Sequence, residues 1–423
     1  MKLIERIHAF DIVRGFAVIF MIILHTGLHE WAGAQELESD VGGTDPVMGL
    51  LIFFLTLAGV YSTILGAVNS FMFYRRIETG KNTPSQLTNY GILMGICLIV
   101  LNFIFRLGFS GDSGWVYFLV KTGQSTTFQP FWLVSSSALT ILGLNSILIP
   151  FLLQIIHTHL SHGLKNRQSY VILFFFGCFV LLLTLPLRWW GAPLVDNLIS
   201  SKQYFLAWLL GCFVYDNFPL FPFMAYAAFG SILGISLARK ERASHILEYT
   251  WFQTLFWSGI GIIGLIPLGG IHPGLIYATT RLAILEDYFR HIAQLGIIFL
   301  FFSVALSIID FVSSPRKERR VKGFRFISRY GMISLTIYMF EAFFSGLING
   351  LLNLISSFQG WNATLGWVIV EGIILTLIWG VVAYFWERVG YKYSVEWFLI
   401  WIAGKISGKK SEKYHMERVE MSP

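Results

Sequence analysis

Residues 10–29 read FDIVRGFAVIFMIILHTGLH. The stretch is apolar and long enough for a membrane helix, since about 20 residues cross the hydrocarbon core. It nevertheless carries Asp11, Arg14, His25 and His29. Ionisable groups inside a membrane are expensive, and they face a bundle interior or a wet cavity rather than lipid. Arg14 and His25 are eleven positions apart. That is about three helical turns, which places both on one face roughly 16 Å apart along the axis. Asp11 lies three residues before Arg14, and His29 four after His25, so the four share one stripe. The stripe predicts a helix whose polar side is turned into a bundle.

The rest of the chain has the same character. Of 423 residues, 55% are hydrophobic, 17% aromatic and 13% charged. That leaves too little polar surface to cover a water-soluble globule. Apolar runs of spanning length fall at roughly 10–29, 46–73, 87–109, 135–158, 170–190, 219–238, 251–270, 288–312, 326–352 and 365–386. The expectation is an all-α, polytopic membrane helix bundle of about ten transmembrane helices, multi-pass in the cell membrane. The run from Tyr204 to Tyr215 is too short to cross and reads as re-entrant or interfacial. A transmembrane domain over 1–390 is expected, then an interfacial segment and basic cytoplasmic tail over 391–423, where Trp397 and Trp401 stand beside Lys392 and Lys405.

Basic residues fall in alternate loops: Lys2 and Arg6; Arg75, Arg76 and Lys81; Lys165 and Arg167; Arg239, Lys240 and Arg242; Arg316 to Arg325; and the tail. The first intervening loop carries Glu30, Glu36, Glu38, Asp40 and Asp45 instead. Because cytoplasmic loops are the basic ones, both termini are expected to be cytoplasmic. Arg281 and Arg290 fit that alternation least. The net charge of +7 is thereby explained by orientation against membrane lipid, and no nucleic-acid partner is expected. The first run has no cleavage site of the secretory kind and reads as a retained helix. Cys97, Cys178 and Cys212 sit in apolar runs and read as small core hydrophobes, so no disulfide framework and no metal is expected.

A fixed cation near one end of the first helix and an imidazole near the other suit a reactant with an anionic head and a long thin reactive arm. Acyl-coenzyme A is such a molecule. Its phosphates would stay by cytoplasmic basic groups while the pantetheine arm carries the thioester inward. His25 could then take the proton of an acceptor hydroxyl or amine.

Five stretches occur in a telling order: DIVRGFAVIFMIILH, FFLTLAGVYSTILGA, DNFPLFPFMAYAAFGSILG from Asp216, RYGMISLTIYMFEAFF from Arg329, and YKYSVEWFLIW. Together they resemble the transmembrane acyltransferase superfamily, most of all the branch containing heparan-alpha-glucosaminide N-acetyltransferase and its prokaryotic relatives. The resemblance implies that cytosolic acetyl-CoA or another acyl-CoA donates to a glycan or lipid-linked sugar on the opposite side. It implies that Arg14 is the arginine of the first-helix motif and His25 its catalytic histidine. In the heparan-modifying branch the active histidine lies later, and His29 is its nearest counterpart, so the choice between the two histidines stays open. Direct transfer and an acyl-histidine route also stay open. Relatives carry further arginines where the third helix begins, whereas this chain has TNYGILMG. Donor binding then falls to Arg14 and Asp11 with Arg75, Arg76, Arg316 and Arg320. Glu341 stands where relatives often show Gln or His; it and Glu371 could accept from a substrate hydroxyl or orient an imidazole. Asp216, Asn217 and Arg106 are the acceptor-side candidates.

Each candidate has a plainer alternative. Asp11 and Arg14 could form a structural ion pair, His25 a hydrogen-bonded core histidine, and His29 an interfacial one. Glu341 and Glu371 could be protonated carboxyls in a helix interface. Arg106 could anchor the interface or meet Asp112, and Asp216 or Asn217 could cap the helix after FPLFP. The run RKERRVKG could be a solvated loop. The rival function is a proton-coupled transporter or flippase of a lipid or sugar, with a non-catalytic scaffold as a third reading. A homodimer is compatible with either.

Overall fold

The computed structural model describes residues 6–33, 53, 57–124, 126–134, 136–160, 167–215, 218–268 and 281–406. Their helices, in chain order, are α1 (His8–Glu30), α2 (Gly59–Glu78), α3 (Pro84–Gly108), α4 (Trp115–Thr122), α5 (Ala138–Leu160), α6 (Arg167–Ser200), α7 (Tyr204–Val214), α8 (Leu220–Ala238), α9 (Ala243–Leu265), α10 (Arg281–Ala305), α11 (Ser314–Gly323), α12 (Arg325–Met332), α13 (Ser334–Asn353), α14 (Leu365–Arg388) and α15 (Val395–Ile406). No strand occurs among the described residues. Nine of these helices are long and apolar enough to cross a membrane: α1, α3, α5, α6, α8, α9, α10, α13 and α14. The chain is an all-α bundle of a multi-pass membrane protein.

Several expected runs shift. The second begins as α2 only at Gly59; residues 46–52 and 54–56 lie outside the described residues. Helix α6 continues through Pro186 and Pro193 to Ser200, since prolines are tolerated where neighbouring helices meet the freed backbone groups. Glu30, read as part of an outer loop, is the last residue of α1 and is buried. The run at 326–352 is broken at Ile333 (φ -120°, ψ 32°) into α12 and α13.

Where the sequence reads as one membrane domain, the helices cluster into two compact units. The first contains α2, most of α3 and α5 to α10. Its centre is α8, apolar on every face and buried along its length. A Cβ added at Gly230 would lie 2.1 Å from the Thr63 carbonyl oxygen, one at Gly234 2.0 Å from that of Ala67, and one at Gly66 2.0 Å from that of Ala227. Backbones of α2 and α8 thus touch directly, as small residues allow in membrane helices. The same unit accounts for the two arginines that fit the loop alternation least. Arg290 and Arg188 both donate to the Asp287 carboxylate, with His291 Nδ1 3.3 Å from it, and Arg281 stacks over Trp189.

The second unit contains α1, the last turn of α3, α4 and α11 to α15. Helix α1 starts on Asp310, whose carboxylate accepts from His8 N (3.2 Å) and Ala9 N (2.8 Å) and pairs with Lys317 (3.1 Å). Gly15 lies against the Ile327 carbonyl and Gly331 against that of Asp11, so α1 and α12 meet backbone to backbone. Contacts then run in step: Asp11 with Gly331, His25 with Glu341, Glu30 with Asn349. Helix α1 is therefore parallel to α12 and α13. Gly372 against Ile23 and Tyr330 against Thr376 make α14 antiparallel to them. This is the alternation expected of the first, ninth and tenth runs.

The break at Ile333 explains two half-buried charges. A helix end leaves backbone groups without partners. In an unbroken helix the Leu335 N–H would meet the Gly331 carbonyl. Here Glu396 of α15 accepts from Leu335 N (2.6 Å), Thr336 N (3.1 Å) and Thr336 Oγ1 (2.6 Å). Arg14 donates to the Gly331 carbonyl at 3.4 Å. An anion at the start of α13 and a cation at the end of α12 both match the helix dipoles.

Replacing Gly230 by Val should lower the stability of the solubilised chain by about 1–3 kcal/mol, read as a fall in Tm. Leu255→Ala, at a side chain 70% exposed, should leave Tm nearly unchanged.

Candidate functional site

The opening stretch delivers Arg14 to the end of α12, His25 to α13 and His29 to the turn after α3. His25 Nδ1 lies 2.5 Å from Glu341 Oε1. A carboxylate only accepts hydrogen bonds, so the imidazole proton sits on Nδ1 and Nε2 is left as the basic nitrogen. The His25 side chain keeps 21% of its surface open while Glu341 keeps 1%, so the ring can be reached and the carboxylate cannot. Tyr338, one helix turn before Glu341 with its neighbour on the same side, brings its ring to 6.3 Å from that of His25.

His29 lies one turn along α1, with its ring 5.6 Å from His25. Its Nδ1 is 3.4 Å from Asp112, whose other oxygen is 3.4 Å from Arg106. Asp112 sits past the end of α3. Desolvation works to raise its pKa, but His29 and Arg106 outweigh that and hold the carboxyl below its ordinary value. Beyond His29 lies an ion pair whose carboxylate is buried. Lys121 of α4 is 3.0 Å from Glu30 Oε2 and donates to the His29 carbonyl at 2.5 Å. Tyr117 donates to Glu30 Oε1 at 3.0 Å, Asn349 donates to Oε2, and the Asn362 amide donates to the Glu30 carbonyl at 2.7 Å. Burial, and then the neighbouring Glu30 carboxylate, hold the Tyr117 hydroxyl far above its usual pKa.

Of the expected site, His25, His29, Glu341 and Arg106 stand together in the second unit, with Arg106 meeting Asp112. Arg14 lies on the same helix at the α12 end, and Asp11 packs its carbonyl there. Arg316 and Arg320 belong to the exposed α11, where Arg320 donates to the Ile308 carbonyl. Arg75 and Arg76 end α2 in the first unit, Arg75 facing Glu78 at 3.9 Å. Asp216 and Asn217 lie outside the described residues. Sequence reasoning gave no role to Tyr117, Lys121, Ser345 or Asn349. The signal was present on α13, where Glu341, Ser345 and Asn349 recur every fourth residue on one face. Among the described residues no group of three or more His, Cys, Asp and Glu side chains is placed to hold a metal ion.

No family model matches this sequence, and no curated protein matches it significantly.

Lys121→Met should destabilise the chain by about 3 kcal/mol, because it strands the buried Glu30 carboxylate. Adding Glu30→Gln should recover a good part of that loss, measured as Tm of the single and double variants.

Proposed function

We propose that the protein is a membrane-embedded acyltransferase that moves an acetyl or other short acyl group from acyl-CoA to a glycan or lipid-linked sugar. The observation that carries this reading is the His25–Glu341 pair at 2.5 Å, an accessible imidazole held by a buried carboxylate. Such a pair is the base and orienting group of acyl-transfer chemistry. The acceptor oxygen attacks the thioester carbonyl carbon while its proton passes to His25 Nε2. The C–S bond then breaks, and the imidazolium returns the proton to the departing thiolate. Glu341 acts through His25, fixing its tautomer and offsetting the imidazolium charge. His25 is preferred to His29 because Glu341 is committed to one partner, whereas Asp112 is shared with Arg106. Arg14, about three turns away, spends one nitrogen on Gly331 and has others to offer a donor phosphate, with Arg316 and Arg320 of α11 as further basic groups.

A second reading, a proton-coupled transporter, draws on the break at Ile333, since broken helices with charged ends build substrate and ion sites in transporters. Acetyl-CoA decides between the two. The acyltransferase predicts that acetyl-CoA raises the Tm of the purified chain and that Arg14→Ala shrinks this rise. His25→Ala should keep the rise and lose transfer by on the order of 100-fold or more. An unchanged Tm at saturating acetyl-CoA would favour the transporter.

A further inference from the structure

Helix α11 is held at the level where the second unit enters the membrane. Asp310 accepts from the first backbone N–H groups of α1, a helix of spanning length, and pairs with Lys317 of α11 at 3.1 Å. On the following α12, Arg325 and Arg329 hold Glu387 at 3.1 and 2.9 Å, next to the last residue of α14, also of spanning length. The start of one span and the end of another thus fix α11 and α12 at one boundary. Phe326, Phe385 and Tyr393 stand exposed at the same end, as aromatic residues do where lipid meets water.

The cations of α11 divide by face. Lys317 goes to Asp310 and Arg320 to the Ile308 carbonyl. With Val321 they are half-buried, and at about 100° per residue the three lie on one side of the helix. Arg316, Arg319 and Lys322 recur every third residue, within about 120° on the side away from Val321, and all three are exposed. Among the described residues, none of these three has an ion-pair or hydrogen-bond partner. The single acid of α11, Glu318, makes no ion pair with them. Like charges at that spacing repel, so the stripe is unfavourable until an anion neutralises it.

The stripe is about 9 Å long, and its place at the boundary sets it against the phosphates of the adjoining leaflet. Guanidinium is the planar, bidentate partner of phosphate. A cluster of Lys and Arg immediately beside a span is drawn to an anionic leaflet.

We infer that Arg316, Arg319 and Lys322 form a docking surface for anionic phospholipid headgroups of the adjoining leaflet. The surface goes beyond acyl transfer and does not depend on it. It assigns Arg316 to lipid ahead of a donor phosphate. Because Asp310 joins α11 to the start of α1, headgroups held there seat the helix that carries His25 against the leaflet.

The test uses the full chain in detergent, titrated with dioleoyl phosphatidylglycerol or dioleoyl phosphatidylcholine, and reads the lipid concentration that gives half the rise in Tm. Wild type should bind phosphatidylglycerol about tenfold more tightly than phosphatidylcholine and lose that preference at about 1 M NaCl. Arg319→Gln should weaken phosphatidylglycerol binding about fivefold, and Arg316→Gln, Arg319→Gln and Lys322→Gln combined on the order of 100-fold. The single change, at an exposed side chain, covers the case in which the triple variant does not fold. Lys202→Gln, at an exposed lysine of the first unit, should leave binding unchanged. Equal affinity for the two lipids, or wild-type affinity in the α11 variants, would overturn the surface. So would a loss in Lys202→Gln as large as that in Arg319→Gln, which would mean a general effect of net charge. Coenzyme A should leave phosphatidylglycerol in place; its displacement would hand the stripe to the donor and overturn the lipid surface as well.

Discussion

The parallel seating of α1 against α12 and α13 is the constraint on which the second unit depends. Gly15 and Gly331 let the backbones meet at one end, and from there three polar groups of α1 fall opposite partners. Arg14 reaches the open carbonyl of Gly331, His25 reaches Glu341, and Glu30 reaches Asn349. A membrane helix accepts so many ionisable groups because none of these is left facing lipid. A side chain at Gly15 or Gly331 would push the helices apart and lose all three alignments together.

The break at Ile333 belongs to the same arrangement. Were α12 and α13 one helix, Gly331 would be satisfied internally and Arg14 would lose its partner. Glu396 stabilises the new start of α13, which fixes the rotation of that helix and so the direction in which Glu341, Ser345 and Asn349 point. The segment read as an interfacial tail is thereby tied to the heart of the unit, although it comes from the far end of the chain. Its Trp397 and Trp401 stack on each other with rings 6.2 Å apart, and Lys405 covers Trp401.

Much of this was legible in the sequence. Apolar runs gave the helices, and the eleven-residue spacing of Arg14 and His25 gave their common face. The short run near Tyr204 was also recognisable, because 11 residues cannot cross a bilayer. The break at Ile333 was not, since RYGMISLTIYM carries no proline and the cause is a carboxylate sixty positions away. Glu30 was misplaced for a similar reason. Its neighbours His29 and Trp31 look like a loop entry, and only Lys121 and Asn349, distant in sequence, make burial of its charge tolerable. The division into two units left no trace, because their segments alternate along the chain and no linker composition marks a boundary. Arg281 and Arg290, which fit a loop pattern poorly, are accounted for by Trp189 and Asp287 within the first unit.

A thermodynamic cycle on His25 and Glu341 tests the central claim most directly, because it needs no substrate. Unfolding free energies of wild type, His25→Ala, Glu341→Ala and the double variant would be compared in one detergent. Side chains in direct contact should show a coupling on the order of 1–2 kcal/mol. Losses that simply add, within about 0.3–0.5 kcal/mol, would mean that the imidazole and the carboxylate do not meet, and the site built around them would have no foundation.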